Sequence, residues 1–119
     1  MVILIGRIYD ETPLGALRIL VDRLWPRGVR KEGAPWNVWL KEAAPSRDLR
    51  NWYHANPEEQ GEFRRRYLGE LRRPPASDAL EELRRLGEGR PVALLTAARD
   101  LTRCQVPVLR DVLEGEFES

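Results

Sequence analysis

Cysteine and histidine are nearly absent, because each occurs only once in the 119 residues. Cys104 alone excludes a disulfide within the chain, so a reducing compartment, the cytoplasm, is expected. With His54 as the sole histidine, no group of His, Cys, Asp and Glu has the spacing of metal ligands, and no metal or other cofactor is expected. A glycine-rich phosphate loop and a dinucleotide fingerprint are also missing, which excludes the common nucleotide-binding motifs.

Long apolar runs and an excess of charge of one sign are lacking as well. The longest apolar run, residues 2–5, is far too short to cross a bilayer. No basic region precedes an apolar segment at the N-terminus, so neither a membrane partner nor a secretory signal is expected. The net charge of +1 creates no global field that favours nucleic acid, so nucleic-acid binding would require a local basic patch.

Apolar residues nevertheless make up 42% of the sequence, which is enough to form a core. Three short apolar segments, residues 2–9, 17–24 and 91–97, are predicted strands. The nearly continuous apolar character of the second and third segments predicts burial on both faces, as in a helix-covered sheet. The sequence therefore predicts a single α/β domain over residues 1–119, with a small, mainly parallel sheet of three or four strands covered by helices.

A helix is predicted from Pro35, which suits a first turn, to Pro45, which ends it. Its predicted buried face consists of four residues at i, i+3, i+4 and i+7, namely Trp36, Trp39, Leu40 and Ala43.

Capping residues predict the starts of four further helices. Three starts are predicted at Ser46, at Asn56 followed by Pro57, and at Ser77. The last helix is predicted to begin at Thr102, which has capping-box spacing with Gln105, although Pro107 favours a start nearer Arg103 or Cys104.

Charged residues follow two of the predicted strands at the point where each ends. The long helical connection between the 17–24 and 91–97 segments permits parallel pairing, which would bring their carboxyl ends to one edge of the sheet. Open α/β sheets bind their ligands at this edge. The residues that would meet there are Asp22, Arg23, Trp25, Arg27, Thr96, Arg99, Asp100 and Cys104.

These side chains suggest a site for an anion. Arg23, Arg27 and Arg99 offer planar guanidinium groups that match phosphate or carboxylate, and the start of the last helix adds free N–H groups. Asp22 would orient the arginines or act as a base, Cys104 and Thr96 would line the pocket, Asp100 is a further ligand-binding candidate, and Trp25 would stack on a base or sugar. The alternative is structural: the arginines pair with Asp22 and Asp100 and tie strand ends to loops.

Two further residues are candidates for chemistry. Cys104 lies near a predicted helix start, where the pKa of a thiol falls, so it is a candidate nucleophile. No Cys-x5-Arg phosphate loop supports that role, and an inert, buried thiol is the alternative. His54 is either a general base or a capping or surface histidine at a helix end.

Several blocks of sequence resemble the YeaO-like proteins of the DUF-488 family. The first is Val-Asp-Arg-Leu-Trp-Pro-Arg-Gly at 21–28; the others are Trp-Leu-Lys-Glu at 39–42, Ala-Pro-Ser at 44–46, Leu-Arg-Asn-Trp-Tyr-His at 49–54, residues 63–71, and Leu-Leu-Thr-Ala-Ala-Arg-Asp at 94–100. The resemblance covers nearly the whole chain. It implies a compact α/β domain and assigns no activity.

The chain departs from longer members of that family at the residues that would carry thiol chemistry. The resemblance implies a cysteine where Thr96 stands and a glutamate where Ala98 stands. Cys104 matches a second cysteine, but Gln105 and Val106 replace the His-Arg that follows it. These departures argue against a thiol-based mechanism, while Asp22, Arg23, Arg27, Arg99 and Asp100 remain.

The leading hypothesis is therefore an anion site at the sheet edge, in an enzyme or a binding protein for a small anionic molecule. A second hypothesis is nucleic-acid binding through the helix face of residues 64–73, which carries Arg64, Arg65, Arg66, Arg72 and Arg73 interleaved with glutamates. A third is a protein-interaction or dimerisation domain with Trp36, Trp52 or Phe117 exposed as a patch.

Overall fold

The fold is a parallel sheet with α-helices, as seen in a computed structural model that describes residues 1–115. The strands are β1 (Ile3–Arg7), β2 (Leu17–Leu20), β3 (Val38–Trp39) and β4 (Val92–Thr96). The helices are α1 (Arg47–Ala55), α2 (Gln60–Leu71), α3 (Ala76–Leu86) and α4 (Val106–Leu113). The predicted α/β class and parallel sheet are confirmed.

The strand order in the sheet is β1-β4-β2-β3, and all neighbours are parallel. Leu17 pairs with Val92 and Ile19 with Leu94 in the contact between β2 and β4. The predicted parallel pairing of these two segments is therefore confirmed. Because both strands run the same way, Val21 and Asp22 leave the sheet at the edge where Thr96 ends β4.

One face of the sheet is covered by helices. The alternation of side chains along a strand places Leu17, Ile19 and Val21 on this face, together with Val92 and Leu94. Residues from all four helices pack against them and form the main core, with Phe63, Tyr67, Leu83 and Leu109 among the largest.

The opposite face is covered by coil. Leu20, Ala93 and Leu95 point to this side, where they pack with Ile8 and Trp36 and with partly buried residues of the 25–34 segment. The predicted burial of β4 on both faces is confirmed, since all five of its residues are buried. Helices cover only one of those faces, however, because β1 and β2 and then β2 and β3 are joined by coil segments.

Arg18 on β2 holds the two coil segments together. Its guanidinium donates hydrogen bonds to the carbonyl oxygens of Ile8, Asp10 and Pro35 and to the hydroxyl of Thr12. The half-buried Arg18 side chain thus supplies four hydrogen bonds to the coil on this face, where no helix satisfies the backbone carbonyls.

The predicted helix from Pro35 to Pro45 is wrong. Val38–Trp39 is the edge strand β3, and Lys41–Ala43 forms a single 3-10 turn. Backbone bonds to β2 explain the difference, because the Asn37 N–H donates to Arg18 and the Leu40 N–H donates to Leu20. The helical spacing was coincidental: Trp36 packs on the coil-covered face, whereas Ala43 is buried in the main core.

The predicted start of α1 is confirmed by a side-chain cap. The Ser46 hydroxyl accepts a hydrogen bond from the Leu49 N–H at 3.1 Å and also donates to the Glu70 carboxylate. The Ser46 N–H donates to the other oxygen of the same carboxylate at 2.8 Å. Ser46 therefore fixes the start of α1 to the end of α2.

Replacing this cap provides the first testable expectation. We expect Ser46→Ala to lower the free energy of unfolding by about 1–2 kcal/mol, because a helix cap is lost and the Glu70 carboxylate loses a donor. Ser77→Ala is the matched control and should change it by less than about 0.5 kcal/mol, because Ser77 lies inside the first turn of α3 and does not cap it. Denaturant titration measures both values, and equal losses would contradict the assignment.

Three predicted helix starts are displaced. Asn56 ends α1, where its amide donates to the Trp52 carbonyl at 2.9 Å, and α2 begins only at Gln60. Ser77 is not a cap, since α3 begins at Ala76. Asp100, rather than the Thr102–Gln105 capping box, caps the turn before α4.

The last helix begins at Val106, after both alternatives that the sequence suggested. Pro107 then occupies its second position, where the missing N–H removes no helical hydrogen bond.

Candidate functional site

A cavity of about 660 Å³ opens where the carboxyl ends of β2 and β4 meet α1, α2 and the turn before α4. Its volume lies within the range of small-molecule sites, about 300–1,000 Å³. Seven of the predicted site residues line it: Asp22, Arg23, Trp25, Arg27, Thr96, Asp100 and Cys104. The sheet thus brings these side chains to one cavity, and their roles in binding or catalysis stay predictions.

Arg99 is the predicted residue that the structure leaves outside. It is exposed and does not line the cavity, although Ala98 and Asp100 on either side of it do. Asp100 has extended backbone angles, and successive side chains in extended chain point in opposite directions. Its two neighbours face the cavity, and Arg99 faces the solvent.

Asp22 joins three elements around the cavity. Its carboxylate accepts hydrogen bonds from the Thr96 hydroxyl at 2.6 Å, the Ala97 N–H at 2.8 Å and the Gln105 amide at 2.9 Å. The Gln105 amide also donates to the Val21 carbonyl at 3.0 Å. Neutral donors therefore occupy three of the carboxylate's roughly four acceptor positions. The end of β2 is tied by this group to the end of β4 and the start of α4.

Arg23 has a structural role within the same cavity. Its Nε donates to the Pro45 carbonyl at 2.9 Å and its Nη2 donates to the Ala44 carbonyl at 3.1 Å. These bonds fix residues 44–45, which form part of the cavity wall. They agree with the alternative in which Arg23 has a structural role. Its partners are backbone carbonyls, however, and not the predicted aspartates. The positive charge and the remaining N–H donors of Arg23 stay at the cavity.

The other arginines of the lining have weak ionic partners or none among residues 1–115. The guanidinium groups of Arg27 and Arg50 make no hydrogen bond or ion pair with any residue from 1 to 115. Arg103 faces Asp100 at 3.7 Å, with both side chains more than half exposed, a geometry that contributes little. The lining carries a formal charge of +2 with His54 neutral, from four arginines and two aspartates: Arg23, Arg27, Arg50, Arg103, Asp22 and Asp100.

Helix α1 contributes a part of the lining that the sequence analysis did not assemble. Arg50, Tyr53 and His54 of this helix line the cavity, and Pro57 lines it from the turn that follows. The three helical positions are i, i+3 and i+4, so the spacing of one helical face was a usable signal. It was missed because His54 was considered alone, at a helix end.

Aromatic rings form two parts of the wall. Tyr53 stacks on Phe63 with ring centroids 4.0 Å apart and an interplanar angle of 11°. Burial raises the pKa of the Tyr53 hydroxyl, and the nearby Arg103 opposes this shift. Trp25 is fixed by a hydrogen bond from its indole nitrogen to the Val29 carbonyl at 2.6 Å. It meets Trp36 edge to face, with centroids 4.8 Å apart.

Cys104 is half-buried, and its Sγ lies 3.6 Å from the Leu101 carbonyl, to which the thiol donates. Burial raises the pKa of this thiol to about 11; the Val106 N–H opposes the shift, and the carboxylates of Asp22 and Asp100 reinforce it. The group is therefore a neutral thiol at neutral pH. This environment favours the inert-thiol alternative over the candidate nucleophile.

The second hypothesis concerned the arginines between residues 64 and 73. Arg64 pairs with Asp111 at 2.6 Å, and Glu62 binds both Arg65 and Arg66 at 2.5 and 2.7 Å. The hydrogen bonds from Arg65 and Arg66 lower the pKa of Glu62 to about 2. Three of the five cations thus already contact carboxylates. Nucleic-acid binding by this face stays a prediction.

The third hypothesis required an exposed aromatic patch, and one of its residues is corrected. Trp36 is 8% exposed, so its predicted exposure is wrong. Trp52 is half-buried beneath the Arg66 guanidinium, which lies 4.1 Å from the ring centroid. Phe117 lies outside the described residues.

Residues 1–115 contain neither a cluster of metal-binding side chains nor a membrane-spanning helix. No three His, Cys, Asp or Glu side chains in this part of the chain lie close enough together to hold a metal ion. No helix within it has the length and apolar character needed to cross a membrane.

Comparison with known proteins places the chain among relatives. The family profile described as "Inactive DUF488-N3 subclade" matches residues 2–119. The chain belongs to the DUF488 family. An uncharacterised protein of Mycobacterium tuberculosis H37Rv is 42% identical over 112 residues, which cover 93% of this chain and 92% of the relative.

A second relative confirms the resemblance seen in the sequence. The uncharacterised protein YeaO of Escherichia coli K12 is 36% identical over 110 residues, which cover 92% of this chain and 94% of the relative. No solved structure matches the chain.

Proposed function

We propose that this protein binds a small anion, a phosphate or a carboxylate, in the cavity at the carboxyl edge of its sheet. The observation that carries the proposal is the state of Arg27 and Arg50, whose guanidinium groups line the cavity and have no partner among residues 1–115. A guanidinium binds such an anion through paired, charge-assisted hydrogen bonds. The lining charge of +2, from four arginines and two aspartates, adds attraction for the same kind of ligand.

The proposed function is binding and not thiol chemistry. Cys104 carries its proton at neutral pH because burial raises its pKa to about 11. The carboxylate of Asp22 is occupied by three neutral donors and acts as a positioning group. The word "Inactive" in the description of the matched subclade agrees with this proposal. A cytoplasmic location stays a prediction from the single cysteine.

The test is calorimetric titration of the protein with inorganic phosphate. Arg27→Gln and Arg50→Gln should each weaken phosphate binding about 10- to 150-fold, because each removes a charge-assisted hydrogen bond worth about 1.5–3 kcal/mol. The double variant should show no measurable heat. Raising the ionic strength should weaken binding to the unmodified protein as well.

Arg72→Gln is the matched control for these substitutions. Arg72 is an exposed arginine at the end of α2 and does not line the cavity, so its replacement should leave the affinity for phosphate within twofold. Melting temperatures should agree among the unmodified protein and the four variants. An unchanged affinity in the double variant, or the absence of phosphate binding to the unmodified protein, would refute the proposed function.

A further inference from the structure

We infer that the anion bound in this cavity carries a planar aromatic ring. This inference rests on the proposed function and adds the chemical class of the ligand. A phosphate ion alone would occupy only a small part of a cavity of about 660 Å³. The remaining space requires a larger molecule whose uncharged part matches the rest of the lining.

That remaining lining is apolar and partly aromatic. Ala44, Pro45, Pro57, Phe63 and Trp25 all contribute to it. Phe63 is 4% exposed and continues the stack of Tyr53, with the two rings nearly parallel. Aromatic walls bind another ring through stacking and edge-to-face contacts in addition to the burial of its surface.

Two polar groups of the wall are available to a ring that bears hydrogen-bonding atoms. Within residues 1–115, the Tyr53 hydroxyl and the His54 imidazole form no hydrogen bond, and both residues line the cavity. The uncharged part of the lining therefore combines aromatic surface with free donors and acceptors. This combination fits an aryl or heteroaryl phosphate or carboxylate better than an aliphatic one.

A comparison of four simple probes on the unmodified protein tests the inference. The probes are inorganic phosphate, phenyl phosphate, hexyl phosphate and phenol, each titrated calorimetrically. Phenyl phosphate should bind about 10- to 100-fold more tightly than inorganic phosphate, because a buried ring adds apolar contact. It should also bind at least threefold more tightly than hexyl phosphate, and phenol should bind weakly because it lacks the charge.

The outcomes separate this inference from the proposed function. If inorganic and phenyl phosphate bind equally well, or hexyl phosphate binds best, the aromatic ring is refuted while anion binding stands. If phenol binds as tightly as phenyl phosphate, or no phosphate compound binds, the proposed function fails and the inference fails with it.

Tyr53 variants provide a second, residue-specific readout. Tyr53→Leu should weaken phenyl phosphate binding about three- to tenfold and leave inorganic phosphate within twofold, because only the ring contact is lost. Tyr53→Phe should retain most of the affinity for phenyl phosphate. Tyr9→Leu is the control, since Tyr9 is 73% exposed and does not line the cavity. Parallel losses for both ligands in Tyr53→Leu would contradict the inference. The probe series on the unmodified protein is decisive if that variant does not fold.

Discussion

Asp22→Ala is expected to lower the free energy of unfolding by about 3 kcal/mol, because hydrogen bonds to a charged group contribute about 1.5–3 kcal/mol each and solvent can replace part of this loss. The variant leaves the buried Thr96 hydroxyl, the Ala97 N–H and the Gln105 amide without their shared acceptor. Thr96 is 1% exposed, so water reaches its hydroxyl poorly. The melting temperature should fall by on the order of 10 °C.

Two comparisons make this expectation specific to the Asp22 network. Glu81→Ala removes an exposed carboxylate from the middle of α3 and should change stability by less than about 0.5 kcal/mol. The double variant Asp22→Ala/Thr96→Val should lose less stability than the sum of the losses in the two single variants. The reason is that each single substitution already removes the same hydrogen bond, from the Thr96 hydroxyl to the Asp22 carboxylate. A loss below about 1 kcal/mol for Asp22→Ala would show that the carboxylate does not hold these elements together.

The Cys104 thiol of the folded protein should react with an aromatic disulfide reagent at pH 7 about 30-fold more slowly than the same thiol in the unfolded chain. Its pKa of about 11, set mainly by burial, leaves a thiolate fraction about 300-fold smaller than that of an ordinary cysteine with a pKa near 8.5. The more basic thiolate is intrinsically more reactive and recovers about tenfold of this difference. Restricted access slows the reaction further.

The pH dependence has a defined sign. Because the thiolate forms when the thiol loses its proton, the rate for the folded protein should rise about tenfold per pH unit up to pH 11. The rate for the chain unfolded in guanidinium should level off above about pH 8.5. Release of the coloured reagent thiol measures both rates on the same residue. Equal rates for the folded and unfolded chain at pH 7 would identify Cys104 as a reactive thiol, and it would again be a candidate nucleophile.

The sequence predicted the location of the cavity because two local signals were strong. Residues 17–24 and 91–97 were recognisable as buried segments, and the length of chain between them permitted parallel pairing. The observed register of Leu17 with Val92 then brings Asp22 and Thr96 to one edge. Nothing beyond hydrophobic patterning and crossover geometry was needed for this step.

The partners of the charged groups could not be predicted in the same way. Asp22 binds Thr96, Ala97 and Gln105, which lie 74 to 83 positions away along the chain. The arginines near Asp22 in the sequence suggested ion pairs, yet the Asp22 carboxylate accepts its hydrogen bonds from neutral donors. Such contacts depend on the final packing of β4 and α4, which no local pattern encodes.

The errors in secondary structure have a related origin. β3 consists of two residues, and its strand conformation depends on pairing Ile19 with Val38 and Leu20 with Trp39 on another strand. The local spacing of apolar residues therefore favoured a helix. Asn56 and Pro57 suit the end of one helix as well as the start of the next, so the sequence alone did not distinguish these positions.

The coil that covers one face of the sheet affects how this fold can diverge. A coil has no repeating hydrogen-bond pattern to maintain, so it tolerates insertions and replacements that a packed helix does not. Its attachment depends on a few groups, above all the Arg18 guanidinium and the ring of Trp36. The same coil supplies Trp25 and Arg27 to the cavity. Substitutions within residues 24–34 can therefore change this part of the cavity lining while the helical layer stays unchanged.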